Sequence, residues 1–246
     1  MRQLRIAVAC LVSAGLGFGI AAAVWPGRSA NPAPAGRKGA VFRVQTKQRL
    51  VALTFDDGPD PRWTPRVLEL LRQYHAHATF FQVGLNVVAH PDLVHAVLDD
   101  GHEVADHTWD HPDLELMPAV EVGTEITRGA DALRQVGAPA PKYFRPPKGF
   151  TDEAVGVLAD ANQYRTIFWD LCLERFVDHT PDMADAVQDM LTRVKPGSII
   201  LAHDGGIPDR TKTLRTLPML LAGLKQRGFK MVDVTQLLKA AQHINR

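Results

Sequence analysis

Cysteine is nearly absent from this sequence, with two residues in a chain of 246. Cys10 lies in an uncharged stretch near the N-terminus, which leaves Cys172 as the only thiol of a folded domain. A lone thiol cannot form an intrachain disulfide framework, so a small disulfide-stabilised fold is excluded. Stability must come from a hydrophobic core, for which a domain of roughly 200 residues is large enough.

An excess of charge of one sign is lacking as well. The formal net charge is +1, and the chain is 46% hydrophobic and 22% charged. These values are typical of a globular protein and give no reason to expect nucleic acid as a partner. The chain has no internal repeat and no heptad run, and no glycine-rich dinucleotide fingerprint follows its first predicted strand. The last absence argues against a nucleotide-binding Rossmann domain.

Residues 1–25 have the layout of a secretory signal. Arg2 and Arg5 precede an uncharged stretch from Ile6 to Trp25, in which Ala21–Ala23 offers small residues for cleavage. At roughly 20 residues, this stretch is also long enough to span a bilayer as an uncleaved N-terminal anchor. We therefore expect a secreted or cell-envelope protein on the extracytoplasmic face, which contacts a membrane only through this segment if it is not cleaved.

Residues 26–40 are rich in proline, glycine and alanine, which predicts a flexible linker. The folded domain is predicted to span residues 41–246. Strands are predicted at Leu50–Phe55, Ala78–Val83, Glu103–Asp106, Tyr143–Arg145, Thr166–Trp169, Ser198–Ala202 and Lys230–Val234. Helices are predicted at Thr64–Tyr74, Pro91–Asp100, Pro118–Val136, Asp152–Asn162, Thr180–Val194, Leu214–Arg227 and Gln236–Gln242. The first helix is expected to begin with Thr64 as its N-cap and Pro65 in its first turn.

This alternation of strands and helices predicts an α/β fold with a parallel sheet. The number of strand–helix units, six to eight, is compatible with a barrel or an open sheet. Polar residues of types used in catalysis follow at least five of the strands. Because active sites of α/β barrels lie at the carboxyl ends of the strands, we favour the barrel.

A metal site is predicted from two strand ends. Asp56 and Asp57 end the first strand, and His107 and His111 follow the third. Two imidazoles and a carboxylate, here His107, His111 and Asp57, are a usual set of catalytic zinc ligands. We predict Zn²⁺, with Co²⁺ or another divalent transition metal as alternatives. The i, i+4 spacing brings the two rings together if the segment forms one helical turn. The alternative is an ordinary Asp-Gly-Pro turn whose carboxylates cap backbone amides.

Hydrolysis at such a site needs a base for the attacking water and an acid for the leaving group. Adjacent strand residues point to opposite sides, so Asp56 and Asp57 would have different roles, and Asp56 is placed to be the base. His203, at the end of the Ser198–Ala202 strand, is placed to be the acid; the alternative is a buried structural histidine. Arg145 would pair with Asp56, unless it is a surface residue of the following turn.

Together these residues resemble the polysaccharide deacetylases of the NodB-homology type, carbohydrate esterase family 4, over roughly Val51 to Leu238. Four of the five motifs of the family are present: Thr54–Pro59, His107–His111, Arg145–Gly149 and Ile200–Asp204. Lys148 replaces a common aromatic residue, and Ile200 replaces a more usual leucine. The resemblance implies a distorted (β/α) barrel of about seven parallel strands in a single domain. It also implies Asp56 as base, His203 as acid, and Asp57, His107 and His111 as metal ligands.

Substrate contacts are implied by the resemblance alone. The backbone N–H of Lys148 would stabilise the oxyanion, and Leu201 would line the acetyl pocket. Phe176 would form an apolar pocket wall where the family has tryptophan. The substrate-binding residues expected from the resemblance are Pro147, Lys148, Gly149, Phe176 and Leu201.

The fourth motif departs from the family. Cys172 and Arg175 occupy the positions of the family's aspartates, one of which orients the acid histidine. A cysteine cannot supply a fixed anionic partner unless its thiol ionises, which burial opposes. Three nearby acids are candidates for this role: Asp170, Glu174 and Asp178.

The predicted function is removal of N-acetyl groups from a GlcNAc-containing polysaccharide by a metal-dependent hydrolase. Peptidoglycan is the first choice of polymer, chitin oligomers the second and acetyl xylan, as an esterase substrate, the third. Two further alternatives are a small-amide hydrolase of the same superfold and a glycan-binding protein with weak or no catalysis. We expect a monomer that binds an acetylated polysaccharide and no nucleic acid.

Overall fold

The structure is a computed structural model, which describes residues 39–149, 153–207 and 209–242. Its central element is a sheet of parallel strands. The predicted signal or anchor at residues 1–25 and nearly all of the predicted linker lie outside the described residues. Within the described ranges, no helix has both the length and the apolar character needed to cross a membrane.

The strands in chain order are β1 (Leu50–Asp56), β2 (Ala78–Gln82), β3 (Glu103–Asp106), β4 (Tyr143–Phe144), β5 (Arg165–Thr166), β6 (Leu171–Cys172), β7 (Ile199–His203) and β8 (Lys230–Val232). The helices are α1 (Thr64–Tyr74), α2 (Gly84–Ala89), α3 (Pro91–Asp99), α4 (Ala119–Gln135), α5 (Glu153–Ala161), α6 (Leu173–His179), α7 (Met183–Arg193), α8 (Thr211–Gln226) and α9 (Val234–Gln242).

The sheet has the strand order β5-β4-β3-β2-β1-β7-β6, and all pairs along this path are parallel. The eighth strand, β8, pairs with the first half of β1. The two ends of the path, β5 and β6, are joined by residues 167–170 alone. So short a connection requires the sheet to curl until its edges approach each other. The predicted distorted barrel of about seven parallel strands is thereby confirmed.

The side chains of the central strands alternate between two hydrophobic layers. Val51, Leu53 and Phe55 of β1 point outward and pack under the helices. Ala52 of β1 belongs to the inner layer, as do Phe81, Ala105 and Ile199 of neighbouring strands. Because successive strand residues face opposite sides, Thr54 and Asp56 continue the inner face toward the carboxyl end of β1. A polar side chain at this end therefore faces the mouth of the half-barrel.

Two local predictions are wrong. Thr64 is the first residue of α1, and Trp63 occupies the cap position without a side-chain cap. The Thr64 hydroxyl instead accepts the N–H of Asp60 and donates to the carboxylate of Asp204. The strand predicted at Thr166–Trp169 ends at Thr166. The carbonyls of Ile167 and Phe168 accept hydrogen bonds from the buried Arg145 side chain.

Candidate active site

Strand pairing brings the predicted polar residues to one end of the barrel. Asp56 is paired directly with His203 in the register of β1 and β7. Asp106 at the end of β3 is paired with Phe144 at the end of β4, so His107 and Arg145 are the next residues on each strand. The carboxyl ends of parallel strands share one edge of the sheet, which explains how distant sequence segments meet here.

Asp57, His107 and His111 form a group of donor atoms able to hold a metal ion, all within 4.8 Å of one another. Oδ1 of Asp57 lies 3.4 Å from Nε2 of His107 and 3.3 Å from Nε2 of His111. Ligands about 2.0–2.1 Å from a tetrahedral zinc ion are about 3.3 Å apart. The donor set therefore has the spacing and chemistry of a zinc site with three protein ligands.

The protonation of His107 also suits metal binding. Its Nδ1 lies 2.7 Å from the carbonyl oxygen of Arg145. Because a carbonyl oxygen only accepts, Nδ1 must carry a proton, so the tautomer of the neutral ring is the one whose Nε2 presents its lone pair to the cluster. Burial lowers the pKa of His111, which favours the neutral ring that a metal ligand needs.

The loop from His107 to His111 is not the helical turn that the spacing suggested. Thr108 and His111 have positive φ angles of 70° and 60°, which a helix does not allow. Side-chain oxygens instead hold its backbone amides. Asp106 accepts the N–H of Thr108, Glu125 of α4 accepts those of residues 109 and 110, and the Thr108 hydroxyl accepts that of His111. The two rings come together because this hydrogen-bonded loop fixes them.

Asp57 is strongly stabilised as a carboxylate. Burial by itself would raise its pKa, but the neighbouring histidines, His107 first, outweigh burial when they are protonated, and the pKa is lowered. Its Oδ2, which faces away from the histidines, lies 2.9 Å from Nη2 of Arg210. Sequence analysis did not single out Arg210, because it precedes a helix and no strand-end pattern marks it.

Arg145 is fully buried and forms an ion pair with Asp56, so it is not a surface residue of the following turn. Its Nη1 donates to Oδ1 of Asp56 at 2.6 Å and to the hydroxyl of Thr54 at 3.0 Å, while its Nε and Nη2 donate to the carbonyls of residues 167 and 168. The ring of Phe81 lies 4.0 Å from the guanidinium carbon. A buried cation without such partners would cost several kcal/mol, so these contacts fix Arg145 and Asp56 together.

His203 is held by Glu174. Nδ1 of His203 lies 3.2 Å from Oε2 of Glu174, an ion-pair contact in which the ring N–H is poorly aligned with the oxygen. Oε1 accepts the backbone N–H of His203 and the hydroxyl of Thr213. Burial opposes protonation of the ring, but the carboxylate of Glu174 outweighs burial and raises the pKa of His203. A histidine with a raised pKa at a strand end can serve as a proton donor near neutral pH.

The profile of the polysaccharide deacetylase family matches residues 43–167, about half of the chain. The chain belongs to the polysaccharide deacetylase family. It is therefore a member of carbohydrate esterase family 4, the NodB-homology family, and a hydrolase of carbon–nitrogen bonds.

Three similar proteins support this assignment. A peptidoglycan-N-acetylglucosamine deacetylase of Bacillus cereus is 37% identical over 198 residues, which cover 80% of this chain and 92% of the relative. A chitooligosaccharide deacetylase of a Bradyrhizobium species is 35% identical, with 77% and 90% covered. The solved structure of a peptidoglycan N-acetylglucosamine deacetylase has a TM-score of 0.76 and 28% identity, with 82% and 93% covered. These alignments extend beyond residue 167, where the match to the family profile ends.

In the fourth motif of this deacetylase, Cys172 stands where the family has an aspartate, and its thiol cannot replace that carboxylate. Burial, followed by the charge of Glu174, raises the pKa of Cys172 to about 12. Of the three acids proposed as substitutes, Asp170 binds Ser198 and the backbone N–H of residue 199, and Asp178 binds Lys212 at the surface. Glu174 is the one that contacts His203, one position before Arg175.

The substrate-binding residues implied by the resemblance lie on three different elements: the turn after β4, strand β7 and helix α6. Pro147, Lys148 and Gly149 form a short turn that is separated from Arg145 by one residue, and the Lys148 ammonium pairs with Asp113. Leu201 is buried two residues before His203 on the same face of β7. The ring of Phe176 lies under the guanidinium of Arg193 of α7. No contact of the described residues links Phe176 with the metal cluster, so its place in the pocket stays a prediction.

Proposed function

We propose that this deacetylase removes N-acetyl groups from the GlcNAc residues of peptidoglycan on the extracytoplasmic side of the membrane. The observation that carries the proposal is the set of groups gathered at the barrel mouth. The Asp57–His107–His111 cluster lies at the same strand ends as Asp56, which Arg145 holds, and His203, which Glu174 holds. The peptidoglycan deacetylase of B. cereus, at 37% identity, supports the choice of polymer.

Asp57, His107 and His111 would hold a divalent metal ion, for which we propose Zn²⁺. When bound, a zinc ion polarises a carbonyl oxygen and lowers the pKa of water. Asp57 contributes Oδ1, and the two histidines contribute Nε2. The proton on Nδ1 of His107, held by the Arg145 carbonyl, keeps this nitrogen assignment fixed.

Asp56 is the base of the proposed reaction. Arg145 occupies its Oδ1, and its Oδ2 lies 3.8 Å from Nε2 of His107, toward the cluster. This oxygen takes a proton from the attacking water while the water oxygen forms a bond to the acetyl carbon. Because Asp56 is only 3% exposed, bulk water does not compete for the oxygen.

His203 is the acid. Glu174 holds its Nδ1 side, so Nε2 is the nitrogen available to the substrate. As the bond between the acetyl carbon and the sugar nitrogen breaks, His203 protonates that nitrogen, and the products are acetate and a free amine. The backbone N–H of Lys148 stabilises the negative oxygen, and Leu201 contacts the acetyl methyl group.

Chitin oligomers are the second candidate substrate. The observation that favours them is the 35% identity to a chitooligosaccharide deacetylase, which is close to the value for the peptidoglycan enzyme. Both polymers contain the N-acetylglucosamine unit that the proposed site recognises, so the groups around the metal cluster do not distinguish them.

Acetate release distinguishes the substrates. The protein is incubated with Zn²⁺ and with peptidoglycan, chitin oligomers or acetylated xylan, and acetate is measured. We expect release from peptidoglycan, weaker release from chitin oligomers and none from xylan. The His203→Ala variant is the control that should remove this release. Release from chitin oligomers alone would contradict the proposed polymer, and release from none would contradict the proposed activity.

Glu174→Gln is expected to lower kcat/KM by about 10-fold to 100-fold and to move the alkaline limb of its pH profile to lower pH. The acid form of His203 is needed, and Glu174 raises the pKa of His203. Removing the negative charge lets the ring lose its proton at a lower pH. The measurement is kcat/KM across the pH range.

Asp178→Asn is the matched control, because Asp178 lies on the same helix and pairs with the exposed Lys212. Its pH profile should overlay that of the wild type. An unchanged alkaline limb in Glu174→Gln would show that Glu174 does not tune the acid.

A further inference from the structure

Asp57 is enclosed on the side that faces away from the histidines. Arg210, just before α8, is 5% exposed and lies behind the carboxylate. Its Nη2 is 2.9 Å from Oδ2 of Asp57, and its Nε donates to the carbonyl of Gly205 at 2.6 Å. One guanidinium therefore ties the aspartate side chain to the backbone of the loop that follows β7.

The same loop approaches Asp57 so closely that two of its residues must be glycine. A Cβ on Gly205 would lie 2.2 Å from the carbonyl oxygen of Asp57, and a Cβ on Gly206 would lie 2.6 Å from Oδ2. Both distances are too short for a side chain. Oδ2 is thus packed between Gly206 and Arg210, while Oδ1 faces the histidines.

The backbone of Asp57 cannot by itself fix the side chain. Asp57 lies beyond the ladder of β1, has a positive φ of 72° and precedes Gly58. Its carbonyl is held by the amide of Asn86, which leaves the carboxylate to be oriented by its own contacts. A carboxylate that is free to turn can present either oxygen, or both, to a cation.

We propose that Arg210 is a positioning residue for Asp57, which holds Oδ2 so that Oδ1 alone binds the metal ion. This inference rests on the proposed metal role of Asp57. The end of β7 and the loop after it would then have two tasks: the strand carries His203, and the loop fixes a metal ligand. Partners that orient metal ligands in this way typically contribute about 10-fold to 100-fold to metal affinity or activity.

Arg210 also completes a pattern of charge at the site. Asp56 pairs with Arg145, Asp57 with Arg210 and Glu174 with His203. By charge alone, Arg210 would repel a cation, so its removal would tighten metal binding. By positioning, its removal would weaken binding. The two effects have opposite signs, which makes the proposal testable by affinity.

The test measures the Zn²⁺ dissociation constant of purified full-length variants by competition with a coloured chelator, together with the visible absorption of bound Co²⁺. We expect Arg210→Met to bind Zn²⁺ about 10-fold more weakly than the wild type and to change the Co²⁺ bands, which report ligand geometry. Arg210→Lys keeps the positive charge but lacks the planar guanidinium, so its Zn²⁺ affinity should lie between those of the wild type and Arg210→Met. Unchanged or tighter binding by Arg210→Met would overturn the proposal.

Two further variants and one measurement make the result specific. Arg72→Met removes an exposed arginine of α1 that forms two ion pairs, with Glu69 and Asp100, and this variant should bind Zn²⁺ as the wild type does. His111→Ala should lose the metal, and a wild type without metal would contradict the proposed site itself. Thermal unfolding of each metal-free protein shows whether the fold is intact. If Arg210→Met does not fold, Arg210→Lys alone decides, and wild-type affinity with wild-type Co²⁺ bands would overturn the proposal.

Discussion

Asp56→Asn is expected to lower kcat/KM for acetate release by about 10³-fold while leaving the bound metal in place. The amide has the size and shape of the carboxylate and can still accept a hydrogen bond from Arg145. It has no basic oxygen for the proton of the attacking water. Metal binding should persist, because Asp57, His107 and His111 are unchanged. Acetate release and metal content per chain are measured on the same preparation.

Asp60→Asn is the matched control for this experiment. Asp60 lies in the same loop after β1, but its carboxylate pairs with the exposed Arg62 and does not reach the cluster. The Asp60→Asn variant should release acetate with the same kcat/KM as the wild type. If Asp56→Asn retained wild-type activity, Asp56 would not be the base. If the wild type bound metal and glycan but released no acetate, the alternative of a glycan-binding protein would be favoured.

Much of the fold follows from the sequence because buried strands and long helices leave strong patterns. The predicted range Thr64–Tyr74 is the range of α1, and the first strand is extended by one residue to Asp56. The short helices α2 and α6 were not predicted. Each has fewer than two full turns, and α2 begins with Gly84, so neither shows a clear helical period. They form because the neighbouring strands and helices pack against them.

The residues of the candidate site that could be predicted from the sequence are those at or just after the ends of strands. Asp56, Asp57 and His203 are visible because each stands where an apolar segment stops. Glu174 could not be chosen from three nearby acids, because the choice depends on α6, which turns one carboxylate toward His203. Arg210 contacts Asp57 from a loop that lies 153 positions further along the chain. No spacing rule connects such a pair.

Removal of the metal is expected to abolish acetate release, and added Zn²⁺ or Co²⁺ is expected to restore it. The pKa values of Asp57 and His111 are both lowered, so near neutral pH the donor atoms of these two residues are free of protons and ready to bind a cation. Without the ion, the attacking water is not activated. The measurement is the rate of acetate release before chelation, after removal of metal and chelator, and after titration with each metal.

Recovery of activity after metal is added back distinguishes a catalytic metal ion from one that is needed for folding. Binding of a metal to the folded state alone raises the free energy of unfolding by about 2.7 kcal/mol at a concentration 100 times the dissociation constant. The cluster lies at the mouth of a barrel whose hydrophobic layers are complete without it, so the metal-free protein should remain folded and recover activity in proportion to metal bound. His111→Ala, treated in the same way, should not recover. Full activity of the chelated wild type, with no metal detected, would show that this site hydrolyses amides without a cation.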